Sequence, residues 1–316
     1  QAELLERSVL TNNGKRMTGD SLFYDRNRGI GEAFQNVEFV DTISKNMLTG
    51  DYCFYNQLTG YAFATDKAVA TDFSQGDSLF IHADTLQLYT FHVNTDSVYR
   101  EARAYHKVRF YRTDIQGVCD SLVFSSKDSC LTLYQDPILW NGKQQLLGEE
   151  IMVYMNDSTI DWAHIQNQAL SVEQLDSLNY NQVSGKDMKA YFEGGEMKQV
   201  DVDGSVRLVY FPMEKDSTLL GMNCSETSKL SMFLENRKLK KLAMSPKSNG
   251  TLYPMTQIPP AKMKLDNFAW FDYVRPLNKA DIFNWRGKGA GQELKKSTRG
   301  AAPLPNQKLF ENTKKE

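Results

Sequence analysis

Met17-Thr-Gly19-Asp20-Ser-Leu22-Phe-Tyr24 and Leu48-Thr-Gly50-Asp51-Tyr-Cys53-Phe-Tyr55 are two copies of one pattern, and that pattern decides the fold. It reads apolar, any residue, small, acid, any, apolar, any, apolar. Further copies are Ile81-His-Ala83-Asp84-Thr-Leu86-Gln-Leu88, Cys119-Asp120-Ser-Leu122-Val-Phe124, Leu146-Leu-Gly148-Glu149-Glu-Ile151-Met-Val153 and Val183-Ser-Gly185-Lys186-Asp-Met188-Lys-Ala190. A degenerate seventh is read at Leu219-Leu-Gly221-Met222. The small-residue anchors stand 29 to 37 residues apart.

A second motif, x–Val–x–apolar, follows most anchors: Val37/Phe39, Val69/Thr71, Val108/Phe110, Ile138/Trp140 and Val206/Leu208. Both motifs alternate with period two, the signature of a strand with one apolar face. Turn clusters such as Asp25-Arg-Asn-Arg-Gly29 and Asn56-Gln-Leu-Thr-Gly60 separate them. Each unit is a strand, a turn and a return strand, and one unit alone cannot bury its apolar face, so the units must stack. The expected fold is all-β: an elongated, twisted, open roll of about seven tandem hairpin repeats. The glycine before each strand predicts a corner where the chain changes sheet. The acid after it shares the inward phase of the following apolar residue. It is expected to bond backbone donors at the corner, along one seam.

Residues 1–255 are assigned to the repeats. Residues 256–285 are rich in aromatics (Phe268, Trp270, Phe271, Tyr273, Phe283, Trp285), with Asn278 placed to cap a short helix. They are expected to cap the apolar end of the last repeat. Residues 286–316 hold eight Lys/Arg against three Asp/Glu and several Gly and Pro, and are expected to be a disordered basic tail.

The remaining composition excludes several classes. With 37 Lys/Arg against 39 Asp/Glu, no global positive field recruits nucleic acid. No apolar run is long enough to span a bilayer as a helix. Cys53, Cys119, Cys130 and Cys224 lack zinc spacing, and Cys119 and Cys130 sit too far apart across their hairpin to bridge, so free thiols are expected. His82, His92, His106 and His164 accompany no nucleophile motif, and no phosphate-cradling glycine loop follows a strand. The reading is a non-enzyme without metal or cofactor.

The units Met17–Asp25 with Asn36-Val37, and Leu48–Asn56 with Ala68-Val69, resemble the OstA-like (organic-solvent-tolerance) β-jelly-roll family of lipopolysaccharide-transport proteins. Val118-Cys-Asp-Ser-Leu122, Tyr180-Asn-Gln-Val-Ser-Gly185 and Asn267-Phe-Ala-Trp-Phe271 bring the pattern nearest to the C-terminal half of the longer OstA-like proteins of Bacteroidota. The likeness runs over about residues 10 to 285. The resemblance implies a periplasmic V-shaped roll with an axial apolar groove. Acyl chains of lipopolysaccharide or lipid A would slide along that groove, and other rolls would join end to end through edge strands. The positions with inward phase, and hence the candidate groove, are Leu22, Tyr24, Val37, Phe39, Leu86, Leu88, Val108, Phe110, Leu122, Phe124, Ile151, Val153, Val206 and Leu208. The same residues equally suit a closed sandwich interior, which would make the chain a structural scaffold. A carbohydrate-active β-solenoid enzyme is a third reading, and it would need carboxylates converging on one surface.

Overall fold

At the first six anchors the chain turns a corner between two facing walls of antiparallel strands. The computed structural model describes residues 2–292 and 294, except 13, 44, 75, 94, 157, 158, 215, 217, 237 and 290. Strand makes up 62% of the chain and helix 4%, so the protein is all-β, and the 24 strands among the described residues form one continuous hydrogen-bonded network. The strands Ile30–Asp41, Asn46–Asn56, Tyr99–Tyr111, Gln116–Ser125, Glu196–Tyr210 and Gly221–Glu235 are long enough to belong to both walls. One half of each pairs in one wall and the other half in the second. Ile30–Asp41, for example, pairs with Ser21–Asp25 through its first half and with Lys15–Gly19 through its second.

The outgoing and return corners use different chemistry. On the outgoing side the anchor glycines keep ordinary negative-φ backbone, and glycine is favoured by crowding. A Cβ at Gly50 would lie 2.8 Å from the Thr65 carbonyl oxygen, and one at Gly148 would lie 2.5 Å from the Ile165 side chain. Left-handed backbone occurs on the return side, at Gln35-Asn36, Asp66-Lys67, Lys107, Gln135-Asp136, Asn167-Gln168 and Gly204-Ser205. These residues form bulges that re-aim the strand. The two corners are tied together: the Asp20 amide donates to Phe34 O and Gln35 O, that of Asp51 to Asp66 O, and that of Glu149 to Gln166 O and Asn167 O.

The return bulge also sets the phase. The first residue after it faces inward, as at Val37, Ala68, Val108, Ala169 and Val206. The inward pairs are therefore 37/39, 68/70, 108/110 and 206/208. The motif read at Val69/Thr71 and Ile138/Trp140 is one residue out of phase, and those side chains face outward, since a slip of one residue moves a whole strand to its other face. The seventh corner is also displaced. Gly221 begins a strand, and the chain changes wall between Thr227 and Lys229.

Cross-strand partners build the interior. In one wall Leu22, Ala33, Cys53, Ala64, Leu86, Ala104, Leu122, Leu133, Ile151, Ile165, Met188, Val202, Leu230 and Met244 are consecutive neighbours, an unbroken apolar rung. At about 4.8 Å per strand this rung is about 60 Å long. In the other wall Met17, Phe39, Leu48, Ala70, Ile81 and Phe110 continue in the same way. Residues of both walls belong to one apolar cluster.

The segment after the last strand first packs Ile258 and Met263 against Met222 and Tyr253 of the last strands. It then runs back as a strap over the outer face of one wall, from Met263 beside Gln182 to Phe283 beside His82. Beneath it lie Val118, Ile138, Trp140, Leu147, Leu170 and Val172, buried against Phe271 and Val274. This explains why the outward Ile138 and Trp140 are apolar. Asn278 Oδ1 does accept from the amides of Ala280 and Asp281, at the start of a 3-10 turn at Asp281–Phe283. Most of the 286–316 tail lies outside the described residues.

Candidate functional site

The interior between the walls is the first candidate site, and its depth profile follows from the pleat. Each strand of the uncovered wall presents one inward residue next to the corner and a second nearer the opening. The corner-side rung is sealed: Leu22, Leu86, Leu122, Leu133, Ile151 and Ile165 are all buried. The second rung, Tyr24, Gly31, Tyr55, Ala62, Leu88, Ala102, Phe124 and Leu131, is only half-buried apart from Gly31. Further along, its members Val153, Ala163, Ala190 and Val200 become buried. A half-open apolar mouth therefore runs along the part of the wall from Tyr24 to Leu131.

Of the fourteen sequence-derived positions, ten (Leu22, Val37, Leu86, Val108, Phe110, Leu122, Ile151, Val153, Val206 and Leu208) are buried in the joint core. Phe39 packs against that core while remaining half-buried, and Tyr24, Leu88 and Phe124 line the mouth. The sequence brings all fourteen to the inner side, but it did not distinguish sealed depth from accessible rim. Tyr55 and Leu131, on the same mouth, were missed, although each lies two residues from an inward neighbour.

The corner acids do not point inward. The side chains of Asp20, Asp51, Asp84 and Asp120 are between 33% and 51% exposed and form a polar seam on the outside. They bond mainly to side chains of the neighbouring return corner and less to backbone donors. Asn36 Nδ2 donates to Asp20 (2.7 Å), Lys67 Nζ to Asp51 (3.0 Å) and Gln168 Nε2 to Glu149 (2.6 Å), while His106 lies 3.3 Å from Asp120. Asn36 and Arg7 hold the Asp20 carboxyl below the usual carboxylate range. The acids are spread along the axis, and no group of three or more His, Cys, Asp or Glu side chains suited to a metal occurs among the described residues.

The strap is docked by polar side chains buried on the wall. Gln182 donates from Nε2 to Met263 O (2.7 Å) and accepts from Leu265 N (2.9 Å). Gln145 does the same with Ala269 O (2.9 Å) and Phe271 N (2.8 Å). Gln116 Oε1 accepts from Arg275 Nε (2.9 Å), and Arg109 Nε donates to Ile282 O. Burial lowers the Arg109 pKa to about 10. Arg286 and Asn284, together with the Leu277 amide, stabilise the buried Asp281 carboxylate and hold its pKa well below the usual range. None of these glutamines was singled out from sequence. Each stands three residues before an anchor (Gln116 before Cys119, Gln145 before Gly148, Gln182 before Gly185), a recurrence legible in the repeat register of the sequence.

The outer face of the uncovered wall carries a cross-strand aromatic array. Phe34–Tyr52 (5.1 Å), Phe54–Phe63 (5.4 Å), Tyr61–Tyr89 (5.0 Å) and Tyr154–Trp162 (4.1 Å) are ring contacts, and Arg103 lies 4.4 Å over the Tyr89 ring. Such pairs stabilise a solvent-facing sheet. All four cysteines are free thiols. Burial pushes Cys53 up to about 12, and Cys119 and Cys130 upward as well. Burial favours the protonated thiol at Cys53, Cys119 and Cys130, which fill the sheet. No helix among the described residues is long and apolar enough to cross a membrane. Compared with models of known protein families and with curated proteins, the sequence matches none.

Proposed function

We propose that the chain is a non-catalytic OstA-like β-jelly-roll module of about seven tandem units. It works in the periplasm in lipopolysaccharide transport or outer-membrane assembly, and it holds acyl chains of lipopolysaccharide or lipid A in the mouth between its walls. The observation that carries this reading is the half-buried rung of Tyr24, Tyr55, Leu88, Phe124 and Leu131, set directly above a sealed apolar rung. A chain lying there would leave water at about 0.8 kcal/mol per CH₂, so partial shielding is enough to retain a lipid without covalent chemistry. Edge geometry supports end-to-end pairing. Ser8–Asn12 pairs on one side only, as does Asn249–Pro254. The neighbouring edge strand Lys238–Ser245 carries three lysines, a device that discourages strand addition, so Asn249–Pro254 is the better docking edge.

The alternative is a periplasmic scaffold with a closed core, and the burial of ten of the fourteen candidate positions favours it. Titration with lipid A distinguishes the two. Phe124→Asp puts a carboxylate at the mouth and should weaken binding at least about tenfold, whereas Val123→Asp, on the opposite face, should not. Equal affinity for both variants, or none for the parent protein, favours the scaffold.

A further inference from the structure

We infer that the cleft between the strap and Tyr180 is a binding site for a saccharide ring bearing an anionic group. The cleft lies on the outside of the strapped wall and is independent of the interior. It measures about 510 Å³ and is lined chiefly by Tyr180, Lys264, Asn267, Phe268, Trp270 and Gln292. That is the size range of small-molecule sites.

Three features define the ligand. The Tyr180 ring meets Phe268 at 5.3 Å and 64°, and Trp270 at 5.5 Å and 55°, so the rings form an angled corner and not a closed stack. An aromatic corner of this kind takes the C–H face of a sugar ring, which is apolar on its face and polar at its rim. Lys264 lies over the Phe268 ring at 4.6 Å and forms no ion pair among the described residues, and Asn267 is exposed with no hydrogen bond among them. The free ammonium selects a carboxylate or phosphate and repels the organic cations that aromatic cages otherwise bind. The free amide serves ring hydroxyls.

The site is preorganised. The amide clamps of Gln182 on Leu265 and of Gln145 on Ala269 bracket the segment that carries Asn267 and Phe268. Little ordering cost therefore remains to be met when a ligand enters.

The test is calorimetric titration of the full chain with D-glucuronate, D-glucose 6-phosphate and D-glucose. At least one anionic sugar should bind about tenfold more tightly than glucose, and comparing the two identifies the anionic group. Lys264→Ala should remove that preference and leave the weak neutral binding. Asn267→Ala, at an exposed position that the fold does not need, should weaken all three ligands. Trp270→Ala should abolish binding, with amide exchange at Phe271 showing whether the strap stays docked. Absence of binding by every sugar at tens of millimolar overturns the inference, as does binding indifferent to both Lys264→Ala and Asn267→Ala. Lipid A affinity is read separately and should not change in any of these variants, so failure here is distinct from failure of the lipid reading.

Discussion

Gln145 holds Phe271 by its backbone: the buried amide accepts the Phe271 N–H at 2.8 Å and donates to Ala269 O at 2.9 Å. One side chain thereby supplies the two bonds that a neighbouring strand would otherwise make. Replacing it with Leu keeps the volume and orphans both backbone groups. The expected cost is about 1–3 kcal/mol for each group left unpaired. Amide exchange should accelerate across 263–283 while the rung at Leu133 and Ile151 stays protected. Uniform loss of protection would instead mean that the strap and walls unfold as one unit.

The corner glycines provide a second prediction. Gly50→Ala drives a methyl into the Thr65 carbonyl and should lower stability by about 1–3 kcal/mol in denaturant unfolding. Gly76→Ala, with nothing within 4 Å of the new carbon, should be neutral or slightly stabilising. Equal effects would contradict crowding as the reason for glycine at the corner.

His82 makes the strap contact pH-dependent. Its Nδ1 lies 2.7 Å from Ala68 O and its ring 4.8 Å from that of Phe283. Burial lowers its pKa, nearby Arg109 lowers it further, and the Ala68 carbonyl and Asp84 oppose them. With the folded pKa below the unfolded value of about 6.5, this contribution to stability is complete above that value. It is lost as pH falls from there through the folded pKa. The melting temperature should therefore drop between pH 7.5 and 5.5, and less so in His82→Gln. Part of the slope should remain, because burial lowers the His164 pKa too. An unchanged slope in the variant would remove His82 from the account.

The corner motif was legible because its chemistry is local: a small residue, an acid and a two-residue alternation lie within eight positions. The outgoing phase at Leu22, Leu86, Leu122 and Ile151 was accordingly right. The return phase failed at Val69 and Ile138. A two-residue left-handed bulge precedes each of those strands, and the first residue after it is Ala68 or Pro137, so the conspicuous Val69 and Ile138 stand one place late, whereas Val37 directly follows its bulge at Gln35-Asn36. The strap was legible as aromatic-rich but not as to where it docks: Gln116, Gln145 and Gln182 recur three residues before their anchors, yet which segment their amides hold depends on long-range contacts. The thirty-odd Phe and Tyr residues pointed to strands. That many of them pair on an outer face depends on cross-strand neighbours, which a single sequence does not reveal.

The lipid reading is tested most directly at the mouth. A photo-reactive amino acid at Phe124 or Leu88, both half-buried on the second rung, should crosslink lipopolysaccharide in cells, and one at outward-facing Val123 should not. Leu122, although in phase, is sealed beneath and should crosslink less than Phe124. Strong crosslinking at 88 and 124 with none at 123 is the predicted result. Equal yields at 123 and 124, or none at any position in a protein whose melting temperature is unchanged, would contradict it.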